Sequence, residues 1–240
     1  MVCGGRRADR GGMSEIQVRA AADGELVEGS ALLARALDFD DRDALPPWLV
    51  ATAAGCDAGV ALAAFEQERL VGFSFALRCA GDELFSCGLA VAAPWRDRGI
   101  GRRLKLAQRE WALERGCTRI RWTADPLAAP ALALYLGALG ARLVGYEPEL
   151  YGALRPAPVP PDDVLIEWPL AAPAAPAGSA GEAVEIPFRR RALDLPELRR
   201  WRLYVRRAMT AALARGLVGT GVRVDRERGR AWVEFSEPAR

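Results

Sequence analysis

The segment that most constrains the fold is Arg96-Asp97-Arg98-Gly99-Ile100-Gly101, which stands between an apolar run at Leu84 to Ala92 and a long stretch of helical periodicity. A strand that turns through glycines into a helix leaves the first amides of that helix without internal partners, pointing outward as donors. The helix dipole adds partial positive charge at the same place, and the combination suits a pyrophosphate. Arg98, Arg102 and Arg103 add formal charge around it. The pattern fits equally a plain tight turn whose arginines are solvated, because short glycine motifs match often by chance. It is not a Walker sequence, since no Gly-Lys-Ser/Thr follows, nor a dinucleotide GxGxxG.

Periodicity on either side predicts alternating elements. Glu15 to Ala21 reads as a strand and Leu26 to Leu37 as a helix begun near Asp23-Gly24; after the acidic Asp38 to Asp43 loop, Pro46-Pro47 opens a short helix reaching Ala54. Val60 to Phe65 and Leu70 to Leu77 form a hairpin about Glu66 to Arg69, and Gly81-Asp82 turns into the strand that stops at Pro94. Leu104, Leu106, Ala107, Trp111 and Leu113 mark the inner side of the long helix, which Gly116 ends. Ile120 to Ala124 is a strand, Ala128 to Leu139 a helix closed by Gly140, and Leu143 to Tyr146 and Val164 to Trp168 are strands. Further on, Val184 to Ile186 is a short strand. Leu195, Leu198, Trp201, Val205, Ala208 and Ala212 share a helix face, and Leu217 to Val224 with Ala231 to Phe235 form a last hairpin. Four segments follow: a disordered 1–13, with Met13 an alternative start; a main domain at 14–170; a small-residue linker or surface loop at 171–183; and a C-terminal helix and hairpin at 184–240, packed on the main domain.

Composition removes many chemistries. The chain has no histidine, so Ser-His-Asp triads, Cys-His dyads, HExxH zinc sites and histidine acid-base catalysis are excluded. Cys3, Cys56, Cys79, Cys87 and Cys117 lack paired spacing, which fits reduced thiols and no metal site. No apolar run reaches the roughly 20 residues of a membrane span and the start does not resemble a signal peptide, so the expectation is a cytoplasmic protein with no membrane contact. The formal charge of +2 hides a net −7 over residues 11–183 and +7 over 184–240. A basic tail can bind nucleic acid, dock on an acidic body or hold an anionic ligand. Near-neutral overall charge, with no aromatic series judged to interleave the arginines, weighs against nucleic acid.

Leu89-Ala90-Val91, Pro94-Trp95, the RxxGxG of Arg96 to Gly101, the strand at Thr118 to Thr123 and the Leu139-Gly140 helix end together resemble the GNAT acyltransferase superfamily. Arg121 to Leu127, Tyr151-Gly152, Glu167-Trp168, Ile186-Pro187 and Trp201-Arg202 are similar to a bacterial GNAT subfamily of predicted acetyltransferases with a C-terminal extension. The resemblance implies an α/β (α+β) fold: a mixed, mostly antiparallel central sheet flanked by helices, extended by a C-terminal strand, helix and hairpin. It also implies that backbone groups of Leu89, Ala90 and Val91 pair with pantetheine amides, and that Arg96, Arg98, Gly99, Ile100, Gly101 and Arg102 hold the pyrophosphate of acetyl-CoA or another short acyl-CoA. Gly88 marks a place for a strand bulge or for relief of crowding.

Catalytic positions are less complete. The family's glutamate position on the strand holds Phe85, leaving Glu83 on the same side of the strand as a candidate base; its tyrosine position holds Leu136, with Tyr135 about 100° around an α-helix. Asp125, just past a strand end, is a candidate to position or deprotonate an amine, against the alternative of capping the next turn. Trp122 and Thr123 lie beside it as substrate-side residues, and Arg202 is the candidate to bind a carboxylate. Cys87 reads first as a small buried residue, which favours direct transfer without an acyl-enzyme. Where the subfamily has His and Asn, this chain has Phe85 and Cys87, then Ala131 and Tyr135, and an expected Arg after Asp163 is Val164. The implied function is acyl-CoA-dependent N-acylation, acetyl by default, of a small amine such as an amino acid or related metabolite, with succinyl transfer or a degenerate CoA-binding scaffold as alternatives and homodimerisation open.

Overall fold

The computed structural model describes residues 15–37, 44–152, 157–159, 161–171 and 181–238. The expectations for residues 1–13, for the Asp38 to Asp43 loop and for most of the 171–183 linker lie outside these residues. Two compact units divide the chain, residues 1–75 with 88–107 and residues 76–87 with 108–240.

In the first unit, β1 (Ile16–Ala20) pairs antiparallel with β2 (Gly59–Glu66), from Ile16–Glu66 to Ala20–Leu62. The following strand, β3 (Arg69–Arg78), has buried residues almost throughout, as β2 has, because both are covered on both faces. Two close approaches show how. A Cβ on Gly29 of α1 (Asp23–Leu37) would lie 2.3 Å from the Phe73 ring, so α1 rests its backbone directly on that ring. A Cβ on Gly72 would meet Ile100 and Leu104 of α3 (Ile100–Glu114) at 3.0 and 3.1 Å. Successive strand residues point to opposite faces, so α1 and the start of α3 cover β3 from opposite sides. The short α2 (Pro47–Gly55) begins at a proline, as the sequence suggests.

Strand β4 (Glu83–Val91) starts in the second unit. There the order is β4-β5-β7-β6-β9-β10-β8, with β5 (Arg119–Ala124), β6 (Arg142–Glu147), β7 (Asp163–Pro169), β8 (Glu182–Pro187), β9 (Val218–Asp225) and β10 (Arg230–Ser236). Only β4–β5 is parallel among the pairs described in this unit. The mixed, mostly antiparallel sheet flanked by helices is thus the expected fold class, and the C-terminal strands extend the sheet through β9, which pairs with β6 at Gly219–Leu143.

Three helical details differ from the periodic reading. Ile100 and Gly101 belong to α3 itself, not to the turn before it. On α3 the buried residues include Leu104, Lys105, Gln108 and Ala112, while Leu113 is exposed, so the apolar residues chosen from sequence only partly mark the inner face. The helix after β5 is α4 (Ala129–Leu132) running into a π-helical stretch, Ala133–Ala138, a rare form that α-helical periodicity cannot anticipate. Among the described residues, no helix is long and apolar enough to cross a membrane.

Helix α1 offers an internal comparison. Gly29→Ala forces a methyl into the Phe73 ring and should destabilise by about 1–3 kcal/mol. Gly24→Ala, which meets nothing within 4 Å, should be neutral or stabilising by under about 1 kcal/mol. Urea unfolding of the two variants checks the opposite signs.

Candidate functional site

The first unit holds the glycine turn. After β4 a short 3-10 turn, Ala93–Trp95, buries Trp95, whose indole N–H donates to Glu66 at 2.8 Å while Arg69 lies over the ring at 4.4 Å. Arg96 donates from Nε to the Val91 carbonyl at 3.2 Å, which ties the turn back to the strand. Asp97 and Gly99 both adopt left-handed backbone, with φ of 62° and 78°. The Gly99 carbonyl accepts from the Arg103 amide at 3.1 Å, the first bond of the helical ladder. Gly99 therefore caps α3, and the amides of Ile100, Gly101 and Arg102 are left at its open end. Ile100 sends its side chain into the core beside Gly72, so the same residue anchors the helix and presents a donor.

Arg98 and Arg102 are exposed around this end, with Arg98 3.7 Å from Glu66. Arg103 is not part of the cluster, because its guanidinium donates to the Ile16 carbonyl at 2.9 Å and holds β1. At Gly88 a Cβ would meet Leu33 at 3.1 Å, so glycine there relieves crowding against α1.

In the second unit, β4 and β5 pair through Glu83–Arg119, Leu84–Ile120 and Phe85–Arg121, whereas β5 runs on to Ala124 and β4 to Val91. The described ladder thus ends early on both strands. Glu83 is paired with Arg119 at 3.0 Å and with Arg121 at 3.5 Å. The Arg119 guanidinium, hydrogen-bonded to Glu83, is held above its ordinary pKa. Cys87 is exposed, not buried, and its thiol lies 3.6 Å from the Phe85 carbonyl.

Asp125 makes the turn weighed for it. One oxygen accepts from the Leu127 amide at 2.9 Å, the side-chain turn expected of an aspartate at this position, and from Arg202 at 2.8 Å; the other accepts from Arg190. Trp122 is buried, Thr123 half-buried, and Tyr135 stands edge-on to Trp122 with centroids 5.0 Å apart. Burial pushes the Tyr135 hydroxyl up to about 12. Because Tyr135 sits in the π-helical stretch, the 100° step of an α-helix does not describe its orientation.

On helix α5 (Leu195–Ala214), Arg202 is 4% exposed and shares the buried face with Val205, Met209 and Ala212, a core position that its charge does not suggest. What receives it is Asp125 together with the Asp162 carbonyl at 3.2 Å. One helical turn on, Arg206 donates to Asp162 at 2.9 and 2.6 Å and to Glu149 at 3.3 Å. Asp162 also accepts from the Tyr146 hydroxyl at 2.7 Å and the Glu149 amide at 3.1 Å. Sequence reasoning missed Asp162, whose only signal was a second acidic residue beside Asp163. Among the described residues, no group of His, Cys, Asp or Glu is placed to hold a metal ion.

Burial raises the Asp162 carboxyl, but hydrogen bonds from Arg206, Tyr146 and the Glu149 amide outweigh it and hold the group below its ordinary value. A lowered folded pKa stabilises fully above the unfolded value of about 4, and that contribution disappears as pH falls through the folded value. Asp162→Asn should cost on the order of 3 kcal/mol at neutral pH, by breaking a buried charge pair. Melting curves between neutral and acid pH should show the gap between variant and parent closing below about pH 4.

The family model of the acetyltransferase (GNAT) family matches residues 29–140. No curated protein matches the chain. Solved structures share the fold at low identity. The ribosomal-protein-S18-alanine N-acetyltransferase of Escherichia coli aligns with TM-score 0.55 and 16% identity over 69% of this chain and 100% of its own. YncA of Salmonella typhimurium, solved with its cofactor acetyl-CoA, aligns with TM-score 0.56 and 16% identity over the same shares. A GNAT family acetyltransferase from Elizabethkingia anophelis with acetyl-CoA bound gives 0.53 and 17% over 65% of this chain and 98% of its own. The glycine-capped α3 lies inside the matched region, so residues 29–140 match a GNAT acetyltransferase domain and the fold is that of the GNAT acetyltransferases.

Proposed function

We propose that the protein transfers an acyl group, acetyl by default, from a coenzyme A thioester to the nitrogen of a small-molecule amine, such as an amino acid or related metabolite. The observation that carries this reading is the start of α3, where the amides of Ile100, Gly101 and Arg102 follow a left-handed Gly99 beside exposed Arg98 and Arg102. That donor set fits a pyrophosphate. Arg96 ties the turn to β4, and the backbone of Leu89, Ala90 and Val91 serves the extended arm of the ligand. The thioester supplies the activated acyl group; the remaining roles fall to side chains.

On the acceptor side the proposal takes Trp122, Thr123 and Asp125, with Arg202 as a positioning residue acting through Asp125. Both oxygens of Asp125 and the carboxylate of Glu83 are engaged by guanidinium groups, which favours orientation of the amine and loss of its proton to water over transfer to either carboxylate. Burial pushes the Tyr135 hydroxyl up to about 12, well above a thiol, so the departing thiolate takes its proton from solvent and Tyr135 packs against Trp122. The same engaged carboxylates support a second reading, a CoA-binding protein without turnover.

Calorimetric titration of acetyl-CoA and succinyl-CoA tests the proposal and ranks the donors. Gly101→Trp, which places an indole at the open end of α3, should weaken binding by at least about tenfold. Thiol release over a panel of amines then separates an enzyme from a binding protein. No saturable binding to folded parent protein would refute both readings.

A further inference from the structure

One side of α5 and the start of β10 line a cleft. Glu197, Arg200, Trp201 and Tyr204 fall at i, i+3, i+4 and i+7, along one stripe of the helix. Arg230, the first residue of β10, closes the other side, its guanidinium carbon 4.9 Å from the centre of the Trp201 ring. Together these residues line a cleft of about 380 Å³, within the size range of small-molecule sites.

Two aromatic rings and a carboxylate can also form a cage for an ammonium group, so the charges decide the class of guest. Glu197 is committed: it completes the capping box of α5, accepting from the Asp194 amide at 3.2 Å while its own amide donates to Asp194 at 2.7 Å. Arg230 is paired with Glu185 at 3.3 Å. Arg200 has no carboxylate partner among the described residues. The surplus charge in the cleft is therefore positive. Tyr204 stands edge-on to Trp201, with centroids 5.8 Å apart, and is 46% exposed, which leaves ring surface for stacking.

The geometry points to a binding site for a small ligand that carries both a planar aromatic ring and an anionic group, carboxylate or phosphate. The ring stacks on Tyr204 beside Trp201, and the anion pairs with Arg200, whose planar fork matches either oxyanion. The site is separate from the acyl-CoA reading and does not depend on it.

Ligand-detected NMR titrations with 2-naphthoate and adenosine 5′-monophosphate test this. Adenosine and naphthylmethylammonium serve as the neutral and cationic counterparts. All are run in a Gly101→Trp background, so that binding at the start of α3 does not contribute. At least one anion should bind saturably, more tightly than its uncharged or cationic counterpart, and the preferred anion distinguishes carboxylate from phosphate. Arg200→Glu should weaken that binding by about tenfold or more, and Tyr204→Ala by a few-fold. Both positions are exposed, and melting temperatures confirm folded variants. Absence of anion binding, tighter binding of the ammonium, or affinities unchanged in both variants would overturn the proposal.

Discussion

Two acidic residues at strand margins, Asp125 after β5 and Asp162 before β7, govern how the second unit is built. A buried carboxylate is tolerated only with counter-charge and hydrogen bonds. Part of both comes from α5: Arg202 reaches Asp125, which Arg190 also meets, and Arg206 reaches Asp162. The charge asymmetry between the body and the basic tail thus has a structural use, because part of the tail's surplus neutralises carboxylates of the body. Arg202 occupies a core position for the same reason, packed in line with Val205 and Met209.

The first unit solves a different problem, how to hold the start of a helix open at the end of a strand. Gly99 turns the chain, Ile100 pins the first turn into the core, and Arg96 ties the approach to β4. Donors at Ile100, Gly101 and Arg102 are thereby fixed by packing rather than by the ligand. Arginines in this region are not equivalent. Arg103 holds β1 and Arg98 lies near Glu66, so of the basic cluster read from sequence only part remains to meet an anion.

Strand and helix periodicity made most of the architecture legible, because burial on one or both faces writes itself into residue spacing. The hairpin at β2 and β3, the glycine turn and α5 are examples. Long-range polar pairing leaves no such trace. Arg202 counts as polar in any periodic pattern, yet its partner Asp125 lies 77 residues away and makes the position a core one. Asp162 was illegible for the same reason. The π-helical stretch around Tyr135 escaped because its turn differs from the one the helical pattern assumes. On α5, a stripe that looked partly apolar, Leu198 and Trp201, continues outward into the polar lining of a cleft.

The counter-ions of Asp125 and Asp162 lie far along the chain, and this orders events during synthesis. Strands β5, β6 and β7 emerge carrying two carboxylates whose partners on α5 follow 77 and 44 residues later, with Arg190 coming 65 residues after Asp125. Until α5 is available, those carboxylates remain better served by water than by burial. Closure of the second unit is therefore coupled to completion of its C-terminal helix, and nascent chains that stop short of Arg206 present an unfinished sheet to whatever surrounds the ribosome.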